Sequence, residues 1–208
     1  MTIDKNDLLN SILSSISRID YVKSSDIPNI DLYMDQVTNF MEKELKSTKR
    51  YPEDKILTKT MINNYAKNDL LPPPEKKKYS KEHLLLLTFI YYFKSILSIK
   101  DIETLLTPIT EKYFHSNGPL NITDIYDEVC AFEKDRISLL EADISQMFEK
   151  SQESFKHVSE EDQNNLQLFS LICMLSLDVY VKKQIIEKLV DLIPTDTGTD
   201  DTKKKPKK

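Results

Sequence analysis

Glycine is nearly missing from this chain, at 2 of 208 residues. Extended sheets depend on tight turns, and the turns that need positive φ draw heavily on glycine. The shortage argues against a sheet and for an all-α fold. Tryptophan is absent, and there are only 2 cysteines and 3 histidines. Cys130 and Cys173 stand singly in apolar helical patterns with no Cys or His at metal-ligand spacing, so both are expected to be buried thiols. His83, His115 and His157 are scattered, with no partner set for a nucleophile. With no Gly-rich phosphate loop either, the sequence predicts a protein that is not an enzyme and carries no cofactor and no metal. No apolar stretch reaches the about 18 residues of a membrane span. The opening Met1-Thr2-Ile3-Asp4-Lys5 lacks a basic-then-apolar export signal. A cytoplasmic protein without membrane insertion is the expectation.

What the chain does have is Ile, Leu and Lys at helical spacing. Leu8, Leu9, Ile12, Ile16 and Ile19 form one stripe, predicting a helix over 5–19. Pro28 interrupts, and Leu32, Met34, Val37, Phe40, Met41 and Leu45 predict a second helix over 31–46. Thr58 is a good N-cap for a helix reaching about Asn68, because its hydroxyl can accept a first-turn N–H. Pro72, Pro73 and Pro74 then forbid continuation. Ser80 opens a helix to about Leu97 that is apolar nearly all round through Leu84–Leu87 and Phe89–Phe93, and so is expected at the centre of the fold. A short helix over 100–106 is expected to be capped by Ser98 and stopped by Pro108. His115-Ser116-Asn117-Gly118-Pro119 reads as a linker. Beyond it lie a long helix from a Thr123 cap to about Phe155 and another from Ser159 to Ile193. The second is too apolar to stand uncovered, which predicts a helical hairpin or bundle and a homodimer. The organisation expected is therefore an N-terminal helical segment (1–30), a helix-turn-helix-like domain (31–115), a dimerisation or sensing domain (119–193) and a disordered basic tail (194–208).

Charge is divided unevenly. The chain carries a net −5, yet residues 46–83 hold ten Lys or Arg against five Asp or Glu, a net +5, and residues 119–193 hold seven against fifteen, a net −8. A half that faces nucleic acid would be basic in this way; helical surfaces also vary by a few charges without a functional cause.

The helix after Thr58 sharpens the point. Met61, Ile62, Tyr65 and Ala66 fall on one side, and Lys59, Thr60, Asn63, Asn64, Lys67 and Asn68 on the other. That polar side has amides and cations and no carboxylate, as a helix in the major groove requires: Asn63 and Asn64 suit adenine edges, Lys59 and Lys67 suit phosphates. Any solvated helix can carry such a face. The following Glu75-Lys76-Lys77-Lys78-Tyr79 places three cations between the proline stop and the Ser80 cap, where a wing would meet the neighbouring DNA backbone.

The segment ILTKTMINNYAKNDLLPPPEKKKYSKEHL resembles the MerR family of DNA-binding domains. In that family a Ser or Thr cap, a helix containing Leu-Arg-Tyr-Tyr, Gly-Leu-Leu, a wing and Tyr-Ser follow one another. Thr58, Ile62, Tyr65, Leu70, Leu71, Tyr79 and Ser80 match the pattern; Asp69 stands in place of the glycine, Asn63 and Asn64 replace Arg and Tyr, and the wing is short. Residues 97–106 resemble the start of that family's second helical pair. A second resemblance, to the uncharacterised bacterial family named domain of unknown function 1836, carries the same segment behind a helical N-terminus. These resemblances imply a winged helix-turn-helix and a transcriptional regulator that binds double-stranded DNA. The implied contact set is Lys59, Thr60, Asn63, Asn64, Tyr65, Lys67, Lys76, Lys77, Lys78 and Tyr79, with the effector ligand unspecified. The alternative is a non-catalytic adaptor that keeps a winged-helix fold without binding DNA.

Overall fold

A computed structural model describes residues 5–16 and 21–194. The expected tail from 195 onward and the end of the first helix at 17–19 lie outside the described residues. Helices α1 (Lys5–Ile16), α2 (Met34–Glu44), α3 (Lys59–Lys67), α4 (Lys81–Phe93), α5 (Ile99–Tyr113), α6 (Ile122–Glu153) and α7 (Glu160–Val190) account for most of the fold. Two short strands, β1 (Leu32–Tyr33) and β2 (Lys78–Tyr79), pair antiparallel with Leu32 opposite Tyr79 and Tyr33 opposite Lys78. The chain is thus predominantly α-helical, but the expectation that it contains no sheet is corrected. Residues 31–33, expected to begin the second helix, lie before it, and Leu32 and Tyr33 pair with residues far along the chain.

Helix α4 lies at the centre. Leu84, Leu85, Leu86, Leu87, Thr88 and Ile90 are all buried, while Phe89 and the three aromatics that follow are half-buried against the same core. That core takes Val37, Met41 and Leu45 from α2, Ile62 and Tyr65 from α3, Ile102 and Leu106 from α5, Ile122 and Tyr126 from α6, and Val190 from α7. The Tyr126 ring lies tilted against Phe89 at 5.0 Å between centres, and its hydroxyl donates to the Val22 carbonyl at 2.5 Å, fixing the stretch that precedes β1.

Several boundaries differ from the sequence reading. Helix α4 ends at Phe93, not near Leu97, and the Leu97 amide closes back on the Phe93 carbonyl at 2.8 Å. Pro108 does not stop α5; it sits inside a helix that runs on to Tyr113. An interior proline costs about 3 kcal/mol, and the burial of Ile102 and Leu106 with Leu105, Ile109 and Tyr113 packed beside them outweighs it. The cap of α6 is Asn121, not Thr123: its Oδ1 accepts from the amides of Thr123 at 2.8 Å and Asp124 at 3.2 Å. Ser159 does cap α7, accepting from the Asp162 amide at 3.2 Å, but that helix ends at Val190. Cys130 and Cys173, expected to be buried, are half-buried.

His83 sits one turn into α4 at 1% exposure. Its Nδ1 accepts from the Ser80 amide at 3.0 Å and bonds the Ser80 hydroxyl at 2.8 Å, the place a Glu or Gln takes in a capping box. Burial pushes the imidazole pKa down to about 4; the Pro73 and Pro72 carbonyls, which face the ring without closing a well-formed hydrogen bond to Nε2, oppose that shift.

Two measurements check this packing. Ile62, with no exposed surface, changed to Asp buries an unpaired charge and should unfold or aggregate the protein. Asn63→Ala, on the exposed side, should shift stability by no more than about 1 kcal/mol. The reverse pattern in thermal melts would invert the faces of α3. His83 stays neutral in the folded chain and protonates near 6.5 when unfolded, so its contribution is present above that pH and disappears as the pH falls toward 4. Between pH 7 and 4 the wild type should lose about 3 kcal/mol more than His83→Gln, which keeps the capping acceptor without the titration. Parallel pH curves for the two would refute the depressed pKa.

Candidate nucleic-acid interface

Helix α3 begins where the sequence places it. The Thr58 hydroxyl accepts from the Met61 amide at 3.2 Å, and Ile62 and Tyr65 turn inward while Lys59, Thr60, Asn63, Asn64, Lys67 and Asn68 are exposed. The helix closes with the Leu70 amide on the Tyr65 carbonyl at 2.9 Å, a Schellman arrangement that needs a left-handed residue before it. Asp69 supplies it at φ 57°, since Asp tolerates this region better than most side chains. Leu70 and Leu71 then drop into the core.

The proline run leads to a two-residue hairpin. The Lys78 amide donates to the Glu75 carbonyl at 2.8 Å, and the two residues between, Lys76 and Lys77, have φ of 48° and 66°. Positive φ at both central positions is the mark of a type I′ turn, normally built from Asn-Gly. Two lysines here hold a backbone that costs on the order of 1–2 kcal/mol per residue, and both are exposed.

Helix and hairpin are joined through β1. The Lys78 ammonium lies 5.2 Å from the centre of the Tyr33 ring, and two residues on, Asp35 forms an ion pair with Lys59. Lys59, Asp35, Tyr33 and Lys78 therefore link the start of α3 to the base of the hairpin. Both members of the ion pair are exposed, so the pair itself adds little stability; it brings a carboxylate from α2 against Lys59.

Of the residues singled out from sequence, Lys59, Thr60, Asn63, Asn64, Lys67, Lys76 and Lys77 are exposed and Lys78 is half-exposed. Tyr65 and Tyr79 are not on this surface: they are 7% and 3% exposed, and burial raises both phenol pKa values. Tyr79 meets the His83 ring edge-on at 5.4 Å. Sequence reasoning missed Tyr33 and Asp35, because a two-residue strand leaves no periodic signal. Among the described residues no group of His, Cys, Asp and Glu is arranged to hold a metal, and no helix is long and apolar enough to cross a membrane.

No curated protein and no solved structure matches the chain. The family model described as Domain of unknown function (DUF1836) matches residues 22–129, just over half of the chain, and the protein belongs to that family.

Proposed function

We propose that the protein is a DNA-binding transcriptional regulator with a MerR-like winged helix-turn-helix, in which α3 enters the major groove and the Lys76-Lys77 turn is the wing. The observation that carries this reading is the strained turn. A hairpin that needs only to reverse direction is served better by Asn-Gly, whereas two exposed lysines at positive φ give up stability to hold two cations at its tip. Lys59, Lys67, Lys76, Lys77 and Lys78 contact phosphates, Thr60 positions the helix, and Asn63 and Asn64 meet base edges.

The same reading makes the protein a homodimer through its C-terminal helices. Leu168, Phe169, Ile172, Leu177, Val179, Tyr180, Val181, Ile185, Leu189 and Leu192 are each between 41% and 76% exposed. Of these, Leu177, Val181, Ile185 and Leu189 follow one another at four-residue spacing and form one exposed apolar stripe along α7. A second copy brings an identical surface under two-fold symmetry. The dimer also supplies two α3 helices, as a two-fold DNA site requires.

Replacing Lys76 by Asn and Lys77 by Gly together should raise the melting temperature, because these residues favour the turn. The same change should weaken DNA binding and flatten the slope of log K against log salt by about two units per subunit, at roughly 0.9 per lost phosphate contact. Asn64→Ala should reduce discrimination between sites by about 1–3 kcal/mol and leave nonspecific binding intact. Failure of the wild type to bind any member of a random duplex pool at about 50 mM salt, where phosphate contacts are strongest, would overturn the DNA reading and leave the non-catalytic adaptor in its place. Light scattering at micromolar concentration should give twice the chain mass, and Leu177→Glu with Ile185→Glu should give a folded monomer. A monomeric wild type rejects the dimer.

A further inference from the structure

A cleft of about 460 Å³ opens on another part of the molecule, between the connection that follows α2 and the end of α4. Its volume is within the range of about 300–1,000 Å³ usual for small-ligand sites. Tyr91 and Tyr92 form one wall, and Lys49, Lys55 and Lys94 bring three ammonium groups to it. The wall is braced by a hydrogen bond between the Tyr91 and Thr48 hydroxyls and by the packing of Tyr92 on Tyr21 at 4.7 Å.

The three lysines differ in how they are satisfied. Lys49 is already paired with Glu42. Asp54, the carboxylate at the cleft, accepts from the Tyr51 amide at 2.9 Å. Among the described residues Lys94 has no carboxylate partner: its ammonium donates to the Ile56 carbonyl at 2.7 Å and lies 4.6 Å from the centre of the Tyr91 ring. An ammonium has three donors, so the carbonyl leaves capacity unused. Burial lowers the Lys94 pKa below its ordinary value, the response of a cation that has lost water without gaining a counter-charge. A half-buried cation in this state favours an incoming anion, and the exposed Lys55 adds a second positive charge at the rim.

We propose that this cleft binds a small organic oxyanion, a carboxylate or phosphate ester carried on a planar ring, with the oxyanion on Lys94 and Lys55 and the ring against Tyr91 and Tyr92. The site is separate from the exposed face of α3 and does not rest on the DNA-binding reading. Occupancy is nonetheless readable near α3, because the Ile56 carbonyl held by Lys94 lies two residues before the Thr58 cap.

The test is titration of the full ¹⁵N-labelled chain with benzoate, phenyl phosphate, inorganic phosphate and chloride at fixed ionic strength, following amide shifts. Benzoate or phenyl phosphate should shift the amides of 56–60 and 91–95 saturably, and the better of the two identifies the headgroup. Lys94→Met, which keeps most of the apolar stem, should weaken that binding about tenfold or more, as loss of a hydrogen bond to a charged group implies. Lys94→Arg should retain binding. Lys55→Met, at an exposed position that folding tolerates, should weaken it several-fold and keeps the test open if Lys94→Met does not fold. Shifts no larger than those from chloride, or binding unchanged in both Met variants, overturns the site. Inorganic phosphate binding as tightly as phenyl phosphate overturns the ring contact.

Discussion

Leu84, Leu85, Leu86 and Leu87 follow one another without a break, so their side chains point to every side of α4 and each side must be covered. Each buried leucine contributes on the order of 1.5–3 kcal/mol, and leaving any one side open forfeits part of that sum. The cover comes from separate parts of the chain: α2 and α3, then α5, and the first turns of α6 with the end of α7. This demand explains why α5 runs through Pro108, and why the Tyr126 hydroxyl reaches back to Val22. It also explains how β1 and β2 meet across more than forty residues: α2 and α4 are buried in one core, and the segments leading into them are brought side by side.

The surface proposed to meet DNA is built on that docking but is not stabilised by it. Tyr65 and Tyr79 are taken inward as packing residues, and what remains outside of the expected contact set is amide, hydroxyl and ammonium, with the exposed Asp35 carboxylate paired to Lys59. Asp69, Lys76 and Lys77 all hold positive φ without being glycine. For Asp69 the left-handed conformation has a structural reason, since it lets Leu70 and Leu71 turn into the core. No such burial rewards Lys76 and Lys77. A chain this poor in glycine still makes a tight turn, and it does so with side chains that glycine would have removed.

At the other end of the molecule the balance is reversed. Helix α6 is buried at Ile122 and Tyr126 against α4 and again at Ile144 and Phe148, while Val129, Phe132 and Leu139 between them face solvent. Helix α7 packs inward at Gln167 and Leu171 and again at Ile186 and Val190, leaving Phe169, Ile172, Leu177, Val181, Ile185 and Leu189 exposed. Gln167 is buried in the elbow between α6 and α7, its amide donating to the Gln152 and Ser154 carbonyls at 2.8 and 3.0 Å. The hairpin is therefore held near its turn by polar bonds and by the buried Ile144, Phe148 and Leu171, and near its far end by the central core, and the exposed surface between is the one proposed to meet a second copy.

The sequence by itself determined the helices and their inner faces: the stripe of α3, the Thr58, Ser98 and Ser159 caps, and the all-round burial of α4 follow from residue spacing and from hydrogen bonds within one turn. Those interactions are local, so a linear reading captures them. It misjudged Pro108, the α6 cap and the exposure of both cysteines, because each depends on what the rest of the chain packs against. The pairing of Tyr33 with Lys78, the ion pair between Asp35 and Lys59, and the meeting of Lys94 with Ile56 join residues far apart in the chain. No periodicity encodes such contacts; they exist only once the demand to cover α4 has brought its neighbours together.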